Sequence, residues 1–473
     1  MNLELQASIS ELFKNSSLQL DGPFGNLNEV HEWLNSVKQR TKVEVEKISL
    51  HDIDHWRYEP ERGIIEHVSG KFFSIKGFRA HSNTEKFNKR EQPLIHQPEV
   101  GYLGFIVQEF EGVLHFLVQA KVEPGNSNHF QLSPTLQATR SNYTQVHKGK
   151  VPPYLDYFQQ ANPKAVIFDQ LLSEQGSRFY RKYNRNMIIR VDSPIEVRAN
   201  FRWMTLGQLK VLMGEDCMVN MDTRSVLSGV PLFKESCYGN GIARSTKCAR
   251  ASIHTSTSSE HSFVNDDTII SQYESLKSAD SLELETVPLS SLEDWKFESS
   301  GVISATDASF RIIAIQAILE GREVHSWSQP MLESTSKGLC AFICKRIKGV
   351  LHFALQFKME FGSGGIYQFS PTVQSLEVMH KKGKALQYPE KFQTYIENAS
   401  NEQVLYDAIL SEEGGRFYHD DNRYCIVEAG LDFSDELPEN YVWMTLNQMS
   451  GFLRAGYPFN IQARSLLAVV NFT

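Results

Sequence analysis

The sequence predicts an α+β fold that is built twice in tandem, from units of roughly 200 residues. Alternating strand patterns, capped helices and an ordered series of shared motifs support this prediction. The shared motifs are GVLHF at 112–116 and 349–353, SPT at 133–135 and 370–372, and WMTL at 203–206 and 443–446. Their conserved order and spacing indicate a tandem duplication. Strand runs with flanking helices predict a mixed sheet in each unit.

Residues 112–149 show the strand pattern most clearly. After a hairpin turn near Glu111–Gly112, apolar residues recur at every second position, at Leu114, Phe116, Val118, Ala120 and Val122. The other face carries His115, Leu117, Gln119, Lys121 and Glu123. A turn at 124–126 leads to a second strand at 130–133. The polar face predicts either a pocket for a polar ligand or a strand side that faces solvent.

Helix caps place the first group of predicted helices. An apolar stripe on Asn28–Arg40 predicts an amphipathic helix. Thr205 with Gln208, and Thr445 with Gln448, have the Thr-x-x-Gln spacing of a capping box. A further helix is therefore expected to begin at the equivalent point of each unit.

A second pair of helices is predicted from an Asn-Pro start. Asn162 can act as the cap with Pro163 at the first helical position, and the helix is expected to end before Gly176. Its counterpart is expected from near Ser400 to just before Gly414.

These patterns divide the chain into three parts. Residues 1–235 form the first repeat and residues 281–473 the second. Residues 236–280 are rich in Ser and Thr and have almost no apolar period, which predicts a linker. The linker is either a plain connector or a disordered regulatory segment.

Composition excludes several functional classes. The 473 residues include 48 Lys and Arg against 56 Asp and Glu, so the chain lacks the basic character of a general nucleic-acid binder. The sequence has no apolar run of about 18 residues, so no membrane helix is predicted. The amino terminus lacks the basic segment followed by an apolar segment that is typical of a signal peptide. The six cysteines have no zinc-ligand spacing. A cytoplasmic protein without membrane or nucleic-acid partners is expected.

Familiar cofactor and nucleophile motifs are also missing. The sequence contains no Walker A loop, no G-x-S-x-G elbow and no H-E-x-x-H motif. We therefore expect no cofactor and no metal. Side chains would then act on a substrate that is already activated.

Four segments resemble the NDP-hexose 2,3-dehydratase family, which acts on NDP-4-keto-6-deoxyhexoses in deoxysugar biosynthesis. They are HVSGKFF at 67–73, EPGNSNHFQLSPTLQATRSNYTQVHKGK at 123–150, RFY at 178–180 and RFYHDDNRY at 416–424. The resemblance covers nearly the whole chain. It implies two Nudix-like domains per subunit, a homodimer and a cofactor-independent lyase, with TDP as the expected nucleotide. The Nudix hydrolase box is absent, so a magnesium-dependent hydrolase is not expected.

The chemistry of such a dehydration indicates candidate residues inside the matching segments. A C4 ketone acidifies the C3 proton, so a base can form an enolate and the C2 hydroxyl can leave with help from an acid. His67, Tyr143 and His147 are the catalytic candidates, with a histidine as base and Tyr143 as donor or relay. The alternative for His67 is a strand-end histidine bonded to the backbone.

Binding a nucleotide diphosphate requires cations and fixed polar groups. The candidates are Lys121, Gln131, Ser133, Thr135, Thr139, Asn142, Arg178 and Arg185. Each arginine has the alternative of an ion pair on the surface or between domains.

The two repeats differ after the second strand. Asn142 and Tyr143 have no counterparts of the same kind in the second repeat, and Thr139 corresponds to Leu376. The active site is therefore predicted in the first repeat, with the second as a scaffold or a vestigial binding site. A non-catalytic nucleotide-sugar-binding protein is the alternative. A catalytic protein would need a downstream 3-ketoreductase for its unstable product.

Overall fold

The computed structural model describes residues 3–144, 150–230, 256–257, 262–298, 302–305, 308–320, 324–376 and 389–470. Within these ranges, no helix is both long and apolar enough to cross a membrane.

The first repeat alternates short helices with strands. Its helices are α1 (Leu3–Leu18), α2 (Leu27–Arg40), α3 (Arg140–Tyr143), α4 (Leu155–Gln159), α5 (Leu206–Leu212) and α6 (Met221–Leu227). Its strands are β1 (Val43–Ile48), β2 (Trp56–Glu59), β3 (Ile64–His67), β4 (Ser74–Ser82), β5 (Glu91–His96), β6 (Gly101–Phe110), β7 (Val113–Val122), β8 (Phe130–Ser133), β9 (Leu136–Ala138), β10 (Val166–Ser173), β11 (Tyr183–Arg190) and β12 (Phe201–Thr205).

The second repeat follows the same order. Its helices are α7 (Asp266–Ala279), α8 (Glu390–Glu397), α9 (Leu446–Arg454) and α10 (Ile461–Val470). Its strands are β13 (Leu282–Val287), β14 (Lys296–Phe297), β15 (Ile303–Ser304), β16 (Phe310–Leu319), β17 (Ser326–Ser334), β18 (Gly338–Ile347), β19 (Val350–Met359), β20 (Tyr367–Ser370), β21 (Val373–Leu376), β22 (Val404–Ser411), β23 (Phe417–Tyr418), β24 (Asp421–Glu428) and β25 (Tyr441–Met444).

Each repeat has a mixed central sheet of the same topology. In the first repeat the order is β10-β11-β6-β7-β12, with β8 on β7 and β9 on β6. In the second repeat the order is β22-β24-β18-β19-β25, with β20 on β19 and β21 on β18. The parallel pairs are β11 with β6 and β24 with β18. The predicted α+β duplication with mixed sheets and flanking helices is confirmed.

The repeats exchange their first strands. β1 of the first repeat pairs with β16 of the second, and β13 of the second repeat pairs with β4 of the first. Each of the smaller sheets is therefore completed by the other repeat. Backbone hydrogen bonds in these two sheets therefore join the two repeats directly.

The hairpin β6–β7 matches its prediction, because Glu111 and Gly112 form its turn with positive φ angles of 52° and 79°. The apolar face of β7 lies in the main hydrophobic core. The opposite face is not solvated, since Lys121 and Glu123 are both more than nine-tenths buried. This burial removes the solvent-facing alternative for the polar face.

Capping boxes place three helices where the sequence predicts them or close by. The Asn26 side chain caps α2, and Thr205 with Gln208 caps α5. Thr445 with Gln448 caps α9. In each case the cap and the third helical residue satisfy each other's backbone N–H groups, which stabilises the first turn.

The predictions of a helix from Asn162–Pro163 and of its counterpart from near Ser400 are wrong. Asn162 does cap a turn, but that turn is a short 3-10 helix of three residues, Pro163–Ala165. Strand β10 follows at once and pairs with β11, and β22 pairs with β24 in the second repeat. Pairing with a central strand buries Phe168 and Leu172, and this tertiary gain outweighs the local helix signal.

The predicted linker 236–280 lies partly outside the described residues. Its last part differs from the prediction, because Asp266–Ala279 forms α7. Asn265 caps α7 by accepting from Thr268 N, as Asn26 caps α2. The counterpart of α2 therefore lies inside the predicted linker, while the domain boundaries at 235 and 281 remain a prediction.

Candidate functional site

The two repeats meet through a pair of crossed turns. One turn is 174–179 of the first repeat, and the other is 412–417 of the second. Gly125 N donates to Gly414 O at 2.8 Å, and Gly362 N donates to Gly176 O at 2.6 Å. Both contacts are close because glycine lacks a Cβ. A Cβ on Gly125 would lie 1.8 Å from the carbonyl oxygen of Phe417.

Each turn thereby reaches the polar face of the other repeat's hairpin. Gly176 N donates to Glu360 Oε2 at 2.9 Å across the repeat boundary. In the opposite direction, Glu413 of the second repeat stands close enough to Glu123 and Glu174 of the first for their charges to raise its pKa. Polar groups of the first repeat therefore share one site with a carboxyl group of the second.

We call this group the first polar cluster, and its members are Lys121, Glu123, Gln137, Glu174, Lys182, Asn220, Asp222 and Glu413. Lys121 Nζ lies 3.3 Å from Glu123 Oε1. Gln137 Nε2 donates to the same oxygen at 3.0 Å. Asn220 Nδ2 donates to Gln137 Oε1 at 3.1 Å. These contacts hold the side chains of Lys121, Glu123, Gln137 and Asn220 in fixed positions relative to one another.

Burial raises the pKa of three carboxyl groups in the first polar cluster. The pKa of Glu413 is raised to about 8, by desolvation first and then by the charges of Glu174 and Glu123. Desolvation also raises the pKa of Glu174, and it raises the pKa of Asp222 well above its ordinary value. A raised pKa brings a carboxyl group nearer to the neutral range in which it can exchange protons with a substrate.

The second repeat has an equivalent second polar cluster with fewer carboxyl groups. Gln374 Nε2 donates to Glu360 Oε1 at 3.0 Å, and Asn460 Nδ2 donates to Gln374 Oε1 at 2.7 Å. By alignment of the repeated motifs, Gln462 stands where the first cluster has Asp222, and Gln175 stands where it has Glu413. The two clusters share their framework and differ in their acid–base groups.

A segment at the end of β5 connects the first polar cluster with Tyr143. Gln97 Nε2 donates to Glu99 Oε1 at 2.9 Å, and Lys182 Nζ donates to the backbone carbonyl of Glu99. The pKa of Tyr143 is raised by desolvation first, then by Tyr102 and Glu99. Tyr143 packs edge-on against Tyr102, with 5.9 Å between ring centroids.

Aromatic rings form the other side of this segment. Arg416 of the second repeat donates from Nε to Gln97 Oε1 at 3.3 Å, and its guanidinium lies 4.3 Å from the Phe73 ring centroid. Trp56 packs on Phe73 at 4.6 Å and on His67 at 5.5 Å. A half-buried guanidinium, held against buried aromatic rings, thus lies beside the first polar cluster, and a guanidinium suits a diphosphate.

The structure places the predicted catalytic residues in different surroundings. Tyr143 lies beside Glu99, near the first polar cluster. His67 ends β3, and its Nδ1 accepts from Ser69 N at 3.1 Å and lies 2.8 Å from Ser69 Oγ. That geometry matches the alternative of a strand-end histidine bonded to the backbone. His147 lies outside the described residues.

The predicted binding residues divide into four groups. Lys121 and Ser133 contact the first polar cluster, because Ser133 Oγ donates to Gln137 Oε1 at 3.0 Å. Thr139 stands at the N-cap position of α3 and donates from Oγ1 to Asn142 Oδ1, and Asn142 is the neighbour of Tyr143 in that helix. Thr135 accepts from Ile106 N at 3.0 Å and donates to Leu117 O, so its hydroxyl links two neighbouring strands of the central sheet.

The remaining three binding candidates face elsewhere. Gln131 donates to Ser411 Oγ across the repeat boundary. Arg178 donates to Ser309 Oγ at 3.2 Å and lies 4.3 Å from the Phe310 ring centroid, beside a cavity of about 850 Å³ that residues of both repeats line. Arg185 forms a two-pronged ion pair with Asp169 on the surface. The ion-pair alternative thus describes Arg185.

Sequence reasoning missed Glu413, Arg416, Lys182 and Glu99. The detectable signal was the difference between SEQG at 173–176 and SEEG at 411–414, where one repeat carries glutamine and the other glutamate. What the sequence did not reveal is that each turn enters the other repeat's cluster. Across the described ranges, no group of three or more His, Cys, Asp or Glu residues is arranged to hold a metal ion.

Known proteins resemble the chain along most of its length. It is 40% identical to the dTDP-4-dehydro-6-deoxy-alpha-D-glucopyranose 2,3-dehydratase of Saccharopolyspora spinosa, over 93% of this chain and 90% of that protein. Enzymes of the same name from Amycolatopsis orientalis and Streptomyces violaceoruber are 36% and 37% identical. These matches cover 96% and 93% of this chain, and 92% and 96% of the respective relatives.

A solved structure of C. elegans Ap4A hydrolase matches 26% of this chain and 90% of its own chain, at 13% identity and with a TM-score of 0.16. The sequence model of the family described as NDP-hexose 2,3-dehydratase matches residues 27–230 and again residues 266–470. The two matches coincide with the two structural repeats. The chain therefore belongs to the NDP-hexose 2,3-dehydratase family.

Proposed function

We propose that this protein removes water across C2 and C3 of an NDP-4-keto-6-deoxy-D-glucose, with TDP as the nucleotide. The product is a 3,4-diketo-2,6-dideoxy sugar nucleotide, a precursor for deoxysugar biosynthesis. The observation that carries the proposal is the match to three dehydratases named for the dTDP-linked 4-keto substrate, each over more than nine-tenths of this chain. The first polar cluster supports it, because this reaction needs buried groups that gain and lose protons near neutral pH.

The proposal places the reaction in the first repeat. Arg416, with its aromatic neighbours, supplies a cation for the diphosphate, and Lys121 and Lys182 add positive charge nearby. Tyr143 donates a hydrogen bond to the ketone oxygen, where charge develops as the C3 proton leaves. The candidates for the base that follow from the sequence are the histidines His67 and His147. The Nudix-like character of each domain and the vestigial state of the second cluster belong to the same proposal.

Turnover separates a dehydratase from a protein that only binds nucleotide sugars. The purified full chain is expected to consume TDP-4-keto-6-deoxy-D-glucose when a 3-ketoreductase is present to trap the product. Substrate loss is followed by chromatography of the nucleotide sugars. Tight binding without consumption would favour the binding-protein alternative, and release of TMP would favour a hydrolase.

Tyr143→Phe is expected to lower kcat by about 100-fold, because one hydrogen-bond donor to the developing oxyanion is lost. The matched control is Tyr154→Phe in the same repeat, whose phenol donates to Glu196 O at 2.9 Å away from the cluster. Steady-state turnover of both variants checks the prediction. Equal rates for the two variants would remove Tyr143 from the reaction.

The family resemblance also supports two assembly proposals. The chain is proposed to form a homodimer, which sedimentation at several concentrations tests. A 3-ketoreductase is proposed to act next, since a vicinal diketone is reactive and its 3-keto group is the one to be reduced. Product stability with and without that reductase tests the second proposal.

A further inference from the structure

We propose that Glu413, from the second repeat, is the general base that takes the C3 proton in the site of the first repeat. The active site would then be assembled from both repeats, and no histidine would be needed for this step. The inference rests on the dehydratase activity proposed above. It differs from the sequence-based assignment, which gave the base to His67 or His147.

The crossed turns bring Glu413 to this position. Glu413 follows β22, and its neighbour Gly414 receives the Gly125 N–H at 2.8 Å. That backbone bond fixes the turn against the end of β7, where Glu123 and Lys121 project. Glu413 is half-buried, so it combines a protein environment with an opening to solvent. A base that must meet a substrate needs both properties.

Two other side chains in this region have buried acceptor oxygens that lack a hydrogen-bond donor among the residues that the structure describes. Glu174 is 4% exposed and Asn126 is 2% exposed. Within the described part of the chain, Glu174 Oε2 and Asn126 Oδ1 are buried acceptors without a hydrogen-bond partner. Buried acceptors cost free energy unless a donor reaches them. Sugar hydroxyl groups of a bound substrate are donors of the required kind.

The charges that face Glu413 come from several elements. From its own turn comes Arg416, from the crossed turn of the first repeat comes Glu174, and Lys182 comes from just before β11. Glu123 projects from the end of β7, and Asp222 with Lys121 completes the surroundings. Desolvation by these elements and the two glutamates raise the pKa of Glu413 to about 8, while Arg416 and Lys182 lower it. A carboxylate with a raised pKa is a stronger base than an ordinary one.

The reaction balances with these groups. The Glu413 carboxylate takes the C3 proton, and the C3–H electrons form an enolate with the C4 ketone. The enolate collapses to restore the ketone and expels the C2 oxygen, which leaves as water after it gains a proton from a general acid in the site. The C2=C3 enol then gains a proton at C2 and loses its hydroxyl proton to become the 3-keto group. One water is lost overall.

The second polar cluster supports the assignment by contrast. Gln175 occupies the position of Glu413 there and donates to a carboxylate oxygen of Glu412. An amide does not accept a proton from carbon at neutral pH, so the second cluster lacks this base. The same turn can hold the two repeats together with either residue, which separates the chemical role from the structural one.

The decisive variant is Glu413→Gln, which keeps shape and hydrogen-bonding capacity but removes the base. We expect kcat to fall by about 100-fold or more, and KM to stay within about threefold. Exchange of the C3 proton for deuterium in D2O, read by NMR of the substrate, is expected to disappear. The control pair is Glu413→Ala and Gln175→Ala, which truncate equivalent positions, and only the first should abolish exchange.

Stability and pH readouts exclude a purely structural effect. Because the glutamine needs no proton, Glu413→Gln is expected to unfold at an equal or higher urea concentration than the wild type at about pH 8. Wild-type kcat/KM is expected to rise with pH up to an apparent pKa near 8, and Glu413→Asp should keep a rising profile at a lower rate.

Failure of the inference and failure of the proposed function look different. A wild-type protein that does not consume the 4-keto substrate contradicts the function itself. A wild-type protein that turns over, with Glu413→Gln within about threefold of its rate and exchange intact, overturns only the role of Glu413. Loss of exchange in His67→Asn with exchange retained in Glu413→Gln would also overturn it, in favour of the histidine.

Discussion

Replacing Gly125 or Gly362 with alanine is expected to lower the free energy of unfolding by about 3 kcal/mol. A Cβ at Gly125 would lie 1.8 Å from Phe417 O, and one at Gly362 would lie 2.0 Å from Phe179 O. Backbone oxygens on a crossed turn have no flexible side chain to move aside. The repeats must therefore separate, and the bonds Gly125 N to Gly414 O and His419 N to Gly125 O are stretched with them.

Urea denaturation of the purified variants measures this loss. The matched control is Gly451→Ala on α9, where a Cβ meets no atom within 4 Å. That variant is expected to gain about 0.5 to 1 kcal/mol, because alanine favours a helix over glycine. If Gly125→Ala and Gly451→Ala changed stability by similar amounts, the close approach of the two turns would not be a structural requirement.

Local signals in the sequence were sufficient for much of the fold. The β6–β7 hairpin, the caps of α5 and α9 and the duplication all follow from patterns within a few dozen residues. Strand β10 did not follow, because its helix-like start was overruled by pairing with β11. The exchange of β1 and β13 was also beyond such patterns, since either strand could have paired within its own repeat.

The candidate site shows the same limit. The alternation along β7 placed Lys121 on the polar face of that strand. This face is buried because it packs against the rest of the protein. Arg178 and Arg416 occupy equivalent motif positions, yet each contacts an aromatic ring of the opposite repeat. The sequence placed Arg178 among the binding candidates of the first repeat, whereas the crossed turn brings its guanidinium against Phe310 of the second. Each of these two arginines belongs to one repeat in the sequence and contacts the other repeat in the structure.

Arg464→Ala is expected to cost about 3 to 5 kcal/mol of unfolding free energy. Arg464 is fully buried on α10, and it donates to Phe459 O at 2.5 Å, Ser173 O at 2.7 Å and Ser225 Oγ at 3.1 Å. The last two acceptors belong to the first repeat. Alanine leaves these acceptors without their donor and removes the positive charge that lowers the pKa of Glu174.

The pH dependence distinguishes lost charge from lost packing. The folded-state pKa of Glu174 is already raised by burial, and losing Arg464 would raise it further. A carboxyl group with a raised folded pKa destabilises the protein as pH rises above its unfolded value, since only the unfolded state releases the proton freely. The loss in Arg464→Ala should therefore be larger at about pH 8 than at about pH 5.

An exposed arginine provides the control for Arg464→Ala. Arg423 makes a two-pronged ion pair with Asp407 at 2.9 and 2.8 Å on the protein surface. Arg423→Ala is expected to cost no more than about 1 kcal/mol, because water screens that pair and replaces its hydrogen bonds. A loss in Arg464→Ala as small as this, and independent of pH, would mean that the buried guanidinium does not hold the repeats together. A large, pH-dependent loss would place the strongest polar link between the repeats next to the proposed active site, so that one interface carries both stability and acid–base chemistry.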